Sequence, residues 1–282
     1  MNEGRRFPRR QRSLLVAVRQ TYTAFYTRTK NKVRSLTTPE TQHPNRGIEL
    51  DTAENVRDLG GYTNQSGQQT RWRAFVRAGD MNVMSASDQE ALIDYGVTTV
   101  IDLRMQKEID VSPNVFTNSA EVDFRIHDFW GTRFDDYRSA DKTAPPHKKL
   151  SDLYCAGLNK SGFIMADIMA TFAEDDQSGY AFHCRSGKDR TGLVAAMLLS
   201  IADVDEDTIC ADYALTAEYL AHEAINPIEA NRPGAWQLGC EAETMHLTLA
   251  FLDAEFGGAV SYLGAQGVSD QALDTIKQKI LT

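Results

Sequence analysis

Two residue types at one spacing suggest covalent chemistry: Cys184 and Arg190 in the run His183-Cys184-Arg185-Ser186-Gly187-Lys188-Asp189-Arg190-Thr191-Gly192. The thiolate is the nucleophilic form of cysteine, and unpaired amides, a guanidinium and a following helix N-terminus are the groups that stabilise it. Arg190 can fork two donors onto the equatorial oxygens of a phosphoryl group, a geometry lysine lacks. Arg185, Ser186, Gly187, Lys188, Asp189 and Arg190 form the predicted phosphate-binding loop, in which Gly187 turns the backbone with no side chain in the anion's way. Lys188 is expected to add a second positive charge at the pocket. Thr191 places a hydroxyl one residue beyond the arginine, within reach of the sulfur, where it can assist departure of the thiolate.

Such a loop must be positioned by its flanks. An apolar run with Tyr180 and Phe182 enters it and a helix-forming apolar run, residues 193–202, leaves it, so the piece reads as strand, tight loop, helix. Inward-curling N–H groups ahead of a helix N-terminus make a nest for a tetrahedral oxyanion. His183 should pack beneath the loop, its side chain away from the Cys184 side of the strand. Residues 97–101 are a continuous β-branched run, as expected of a strand buried on both faces. They run into Asp102-Leu103-Arg104, with Glu108 close behind. A carboxylate and a guanidinium at the C-terminal end of a strand lie beside the ligand crevice of α/β sheets, either in direct catalysis or as an ion pair that buttresses the loop.

The remaining pattern supplies the frame. Residues 55–62 read as a polar turn ending in Gly60-Gly61, and residues 73–78 and 122–127 as further strands. Ser87 with Glu90 forms a capping box for a helix through Asp94, which Gly96 ends. Residues 150–158 and 163–173 read as helices broken at Ser161-Gly162, residues 205–224 as another, and residues 245–281 as two helical patterns split by glycines. Residues 128–149, with Pro145-Pro146, read as a long loop or lid carrying Asp128, Asp135 and Asp136 as possible acids.

The run around Cys184 resembles the signature loop of the protein-tyrosine-phosphatase superfamily, in the tyrosine/serine phosphatase branch that includes bacterial triple-specificity enzymes. Asn55-Val56-Arg57-Asp58-Leu59-Gly60-Gly61-Tyr62 is similar to that branch's opening segment, with Val56 in place of a phenylalanine. Val76-Arg77-Ala78-Gly79-Asp80, Asp102-Leu103-Arg104 with Glu108, Asp212-Tyr213-Ala214-Leu215-Thr216 and the glycine-rich stretch 256–269 resemble further pieces, so the likeness covers about residues 47–282. It implies a single α/β phosphatase-like domain with a central, mainly parallel sheet of four or five strands flanked by helices. It also implies cofactor-free and metal-free phosphomonoester hydrolysis through a phosphocysteine on Cys184, with Arg190 holding the developing charge. Asp189, inside the loop, is the favoured general acid, with Asp102, Asp128, Asp135 and Asp136 behind it, and Thr191, His183, Asp102 and Arg104 in support. The implied substrate is a phosphotyrosine protein, extending to phosphoserine and phosphothreonine, or alternatively a phosphoinositide. No nucleic-acid partner is expected.

Charge divides the 282 residues unevenly. Residues 1–46 hold 11 Lys+Arg against 2 Asp+Glu, whereas residues 47–282 hold 19 against 37, within a net charge of −9. The basic extension reads as a poorly ordered tail, a transit peptide or an amphipathic helix on an anionic membrane surface; its apolar run, residues 14–18, is too short for a secretory core. The four cysteines show no C-x-x-C pair, which suggests neither a zinc site nor a disulfide framework and points to a reducing, cytoplasmic setting, with peripheral membrane association if the extension binds lipid. A nucleotide-binding P-loop is excluded, because Phe182 occupies the position of its first glycine and Asp189 that of its Ser/Thr. A Cys/His hydrolase would need His222 or His246 near Cys184, and a non-catalytic phosphate-binding module is the remaining rival.

Overall fold

The computed structural model describes residues 46–131, 143–174, 179–220 and 235–281; nearly all of the basic extension, Asp135, Asp136 and His222 lie outside them. Five strands form one sheet: β1 (Arg57–Asp58), β2 (Phe75–Ala78), β3 (Thr99–Asp102), β4 (Asp123–Ile126) and β5 (Tyr180–His183). Their order is β1-β2-β5-β3-β4, and every neighbouring pair except β1–β2 is parallel. The segment 55–62 is therefore more than a turn, since Arg57 and Asp58 pair with Arg77 and Val76.

β5 is buried along its whole length, as its central place requires, while edge strand β4 is half open to solvent. Ala78 and Asp102 flank His183 in register, so three parallel strands end level and Gly79, Leu103 and Cys184 follow them at one rim. This is the crevice outside the carboxyl ends of strands where α/β sheets bind ligands.

Alternation of side chains sorts the two faces. Val76, Val100 and Ala181 pack with Leu92 of α1 (Ala86–Tyr95) in one core cluster. On the opposite face Phe75 and Phe182 meet Phe172 of α3 (Pro146–Ala173), with ring centroids 5.2 and 5.8 Å apart. Between them in sequence lies α2 (Gln106–Val111). The helix after the loop, α4 (Asp189–Ile201), is buried on nearly every side. Then follow α5 (Glu206–Ala214), α6 (Thr216–Tyr219), a 3-10 turn (Ala235–Leu238), α7 (Ala242–Phe256), α8 (Ala259–Ala265) and α9 (Asp270–Leu281).

Several boundaries differ from the sequence reading. The cap of α1 is Ser85, not Ser87: its side chain accepts from Asp88 N, while Gly96 ends the helix in the left-handed region as expected. The break at Ser161 is a kink (φ −115°, ψ 19°) inside one 28-residue helix rather than a gap between two. That helix begins at Pro146, because proline tolerates the first turn, where its missing N–H has no partner to lose. Residues 146–149 consequently belong to a helix and not to a lid. The stretch from Asp205 breaks at Leu215, and the tail holds three helices because Gly257 and Gly258, at φ 79° and 112°, stop one and Gly267, at φ 102°, separates the others. Among the described residues no helix is long and apolar enough to cross a membrane.

Candidate active site

The loop from Cys184 to Lys188 is held from outside by its carbonyls. His183 Nδ1 lies 3.1 Å from Cys184 O, and Asp80 N donates to Arg185 O at 2.8 Å. Asn55 Nδ2 donates to Ser186 O at 2.8 Å, Arg77 Nη2 to Gly187 O at 2.7 Å, and Gly192 N to Lys188 O at 2.8 Å. A peptide whose C=O is fixed outward turns its neighbouring N–H groups inward, and none of the N–H groups of residues 185–188 donates to a backbone carbonyl among the described residues. The result is a cup of free amides at the N-terminus of α4, the arrangement that binds a tetrahedral anion. Gly187 is required twice over: its φ is 67°, and a Cβ there would stand 2.5 Å from Ala78 O.

Cys184 begins this cup and is buried, while Arg190 closes it from the first turn of α4. Glu108, at the start of α2, grips Arg190 with both oxygens, Oε2 to Nη1 at 2.6 Å and Oε1 to Nη2 at 3.2 Å. Arg190 Nε is buried with no hydrogen-bond partner among the described residues. Burial works against the arginine charge, but Cys184 and Glu108 together more than offset it and raise its pKa above the ordinary value. Burial likewise opposes the Glu108 carboxylate, and Arg190 outweighs that effect and lowers its pKa. The guanidinium is therefore fixed, charged and in possession of an unused donor. Thr191 Oγ1 is also buried without a partner among the described residues.

Asp189 sits in the first turn of α4 with its side chain about a quarter exposed. Tyr154 of α3 donates to its Oδ1 at 2.5 Å, and Tyr213 of α5 lies 2.8 Å from the Tyr154 oxygen. Burial first, then the Asp189 charge, hold both phenols protonated. Since the one proton of Tyr154 goes to Asp189, Tyr213 must donate to Tyr154, and a two-phenol relay fixes the carboxylate.

Lys188 does not face the pocket as the sequence suggested. Its ammonium is buried against the carbonyls of Gln237 and Gly239, the latter at 2.9 Å, with Asp189 Oδ1 at 3.5 Å. Three donors meet three acceptors, so the lysine fastens the 3-10 turn and the residues just after it to the loop. Arg185, by contrast, is exposed.

Beneath the cup, Asp212 of α5 receives Arg77 Nη1 at 2.5 Å, Arg57 Nε at 3.2 Å and the Tyr62 hydroxyl at 3.0 Å. Arg57 also donates to Asn55 Oδ1, the same side chain that holds Ser186 O. Burial opposes the Asp212 charge, yet the two arginines win and lower its pKa to about 2. Burial and then the Arg77 charge push Arg57 down to about 10, so Arg57 remains charged at neutral pH, and two guanidinium groups against one carboxylate give the cluster a net positive charge under the anion cup.

The second strand end is also a clamp. Asp102 is fully buried, accepts from Arg104 Nε and Nη2 at 3.0 and 2.6 Å, and lies 3.4 Å from His183 Nε2. Burial opposes its charge, and His183 and Arg104 together lower its pKa far below the usual range. Arg104 reaches on to Asp80 Oδ1 and Ser112 O, both at 2.9 Å, so the pair buttresses Asp80, whose amide holds Arg185 O. His183 packs under the loop as expected, with Asn114 Nδ2 2.7 Å from its Nε2. Asp102 is therefore misplaced as a proton donor. Asp128 is no better placed, since its carboxylate accepts from Gly131 N at 2.7 Å and Gln106 N at 3.2 Å. His246 is drawn to Glu206, 2.8 Å away, and not to Cys184.

Five residues emerge that sequence reasoning gave no role: Glu108, Tyr154, Tyr213, Asn55 and Arg77. Four of them sit in segments whose family likeness was already visible, and Tyr154 in α3 had no such signal.

Comparison with known proteins agrees with this geometry. A model of the tyrosine phosphatase family matches residues 48–282. A tyrosine-protein phosphatase of Nostoc commune is 30% identical over 219 residues, covering 73% of this chain and 74% of the relative. A putative tyrosine-protein phosphatase of Cupriavidus necator is 29% identical over 59% of this chain and 61% of its own length. A triple specificity protein phosphatase of Mycobacterium tuberculosis is 28% identical over 118 residues, 35% of this chain and 42% of the relative. The match starts before β1 and runs through α9, taking in the anion cup and both of its clamps, and on that footing the chain belongs to the tyrosine phosphatase family and is a phosphatase.

Proposed function

We propose that the protein hydrolyses phosphotyrosine in proteins through a phosphocysteine on Cys184. The observation that carries this reading is the outward anchoring of four consecutive loop carbonyls, Cys184 to Gly187, beside a buried thiol and the unused Nε of Arg190. The inward amides and Arg190 bind the three equatorial oxygens, and the Cys184 sulfur attacks phosphorus in line. As the S–P bond forms, the P–O bond to the phenol breaks and Asp189 gives its proton to the departing oxygen. Water then attacks phosphorus and leaves its proton on Asp189, and the S–P bond breaks with Thr191 Oγ1 donating to the sulfur.

The triple-specificity name of one relative extends the proposal to phosphoserine and phosphothreonine. The phosphoinositide alternative rested on Lys188 and on the basic extension; the Lys188 ammonium is engaged by backbone carbonyls, which removes one of its two supports and makes it the weaker reading. The test compares phosphotyrosine, phosphoserine and phosphothreonine peptides, p-nitrophenyl phosphate and phosphatidylinositol phosphates, with EDTA present and Cys184→Ser as control. Turnover should survive chelation, fall about ten-thousand-fold or more in the variant, and be fastest on phosphotyrosine. Rapid acid quench should trap phosphate on Cys184 by mass spectrometry. A wild type that is folded and reduced but no more active than Cys184→Ser on every substrate would reduce the site to a phosphate-binding module.

A further inference from the structure

α5 carries, N-terminal to Asp212 and Tyr213, a second cluster of chemically capable side chains. Glu206 and Cys210, one helical turn apart on α5, meet His246 of α7, and one carboxylate oxygen, the sulfur and one ring nitrogen all lie within 4.8 Å of one another. Residues i and i+4 share a helix face, so two donors come from one helix and the third from its packing partner. A tetrahedral site with ordinary zinc bond lengths needs its donors about 3.3–3.6 Å apart. Glu206 and His246 are already at 2.8 Å, and Glu206 is exposed enough to swing to such a distance.

A hydrogen-bonded Glu–His pair is an ordinary feature of a helix–helix seam, but it leaves the thiol unaccounted for. Cys210 is buried directly against that pair, in the negative potential of Glu206, Asp207 and Glu243, and binding of a metal ion displaces its thiol proton to solvent. The same negative potential attracts a divalent cation. His246 stands among Glu206, Glu243 and Asp207 as well. Asp205 is not part of the set, because its oxygens cap Thr208 N and hydroxyl.

We propose that Glu206, Cys210 and His246 bind a divalent transition-metal ion of the zinc class, in a tetrahedral site whose fourth position is water. A carboxylate, thiolate and imidazole set of this kind suits Zn2+ and Co2+ and disfavours Mg2+ and Ca2+. The cysteine pattern in the sequence could not show it, because only one cysteine takes part and the histidine lies on another helix. The ion plays no part in the phosphatase chemistry; it clamps α5 to α7. Since α5 also supplies Asp212 and Tyr213, the clamp stiffens the floor of the active site.

The test titrates Co2+ into the full chain carrying Cys184→Ser, which removes the nucleophile as a competing thiol. A sulfur-to-cobalt charge-transfer band with tetrahedral visible bands is expected at one equivalent, and Zn2+ should displace it. Adding Glu206→Gln, at an exposed position that leaves folding intact, should weaken Co2+ binding at least tenfold, and adding Cys210→Ser should abolish the charge-transfer band. Zn2+ at a hundredfold excess over its Kd should raise Tm by roughly 5 °C or more, and His246→Gln should remove that shift. The proposal is overturned if the Cys184→Ser protein shows neither band nor shift, or if the band persists when Cys210 is replaced.

Discussion

The two sides of the Cys184 loop are built from the same charged groups and do opposite work. On the outer side, Asp212, Arg57, Arg77 and Asn55 form a closed network that ends on loop carbonyls. On the inner side, Glu108 holds Arg190 and the tyrosine pair holds Asp189, yet each functional group keeps one site open: Nε of the arginine, and Oδ2 of the aspartate, which has no partner among the described residues. Saturated networks fix backbone, and deliberately unsaturated ones address a ligand. The difference predicts that outer-side substitutions cost stability first and inner-side substitutions cost turnover first.

The largest effect should come from Asp212→Asn, which leaves two buried arginines without their shared carboxylate. A loss of about 3–5 kcal/mol in unfolding free energy is expected, read by urea denaturation. The pH dependence follows from the same group. Its folded pKa is depressed to about 2, so its stabilising contribution is complete above the unfolded value near 4 and is lost as pH falls from about 4 to about 2. The wild type should lose stability over that window, and the variant should lack this component. If Asp212→Asn leaves stability intact and reduces only kcat, the division between the two sides fails.

Next is Arg190→Lys, which preserves charge but not the fork or the Nε donor. A fall of about 10²–10³-fold in kcat is expected with little change in Tm, measured by steady-state kinetics beside calorimetry. Gly187→Ala tests the hinge between the two sides, because its Cβ would collide with Ala78 O and its φ is positive. It should cost about 1–3 kcal/mol and weaken inhibition by inorganic phosphate or vanadate, since the displaced peptide carries amides of the cup.

How much of this was legible in the sequence depended on whether the partner lay nearby in the chain. Cys184, Arg190 and Gly187 fall within seven residues, and the strand–loop–helix pattern around them fixed the parallel sheet and the place of the crevice. The β-branched run before Asp102 likewise marked a central strand neighbour. Lys188 was misread because its acceptors, carbonyls of Gln237 and Gly239, belong to a short 3-10 turn and the residues just after it, too brief to leave a periodic trace. Asp102 was offered as an acid because a strand-end carboxylate looks the same whether it faces ligand or, as here, Arg104 and His183. Helix ends moved for local reasons: a serine two residues earlier also offers a cap, and proline starts a helix as readily as it breaks one.

The smallest effect, and the most discriminating, belongs to Tyr154→Phe. Among the described residues the hydroxyl touches only Asp189 and Tyr213, so its removal leaves Arg190, the amide cup and the buried cluster around Asp212 in place. If the relay holds Asp189 in position to protonate the leaving oxygen, the loss should depend on how much the leaving group needs a proton. Turnover of phosphotyrosine peptide, whose phenol is a poor leaving group, should fall about tenfold, or ~1.4 kcal/mol. Turnover of p-nitrophenyl phosphate should change far less, and Tyr213→Phe should show the same asymmetry in weaker form because it acts one hydrogen bond further away. Equal losses on both substrates would mean that the phenols pack the inner side without positioning the acid, which would move that side toward the structural character of its counterpart.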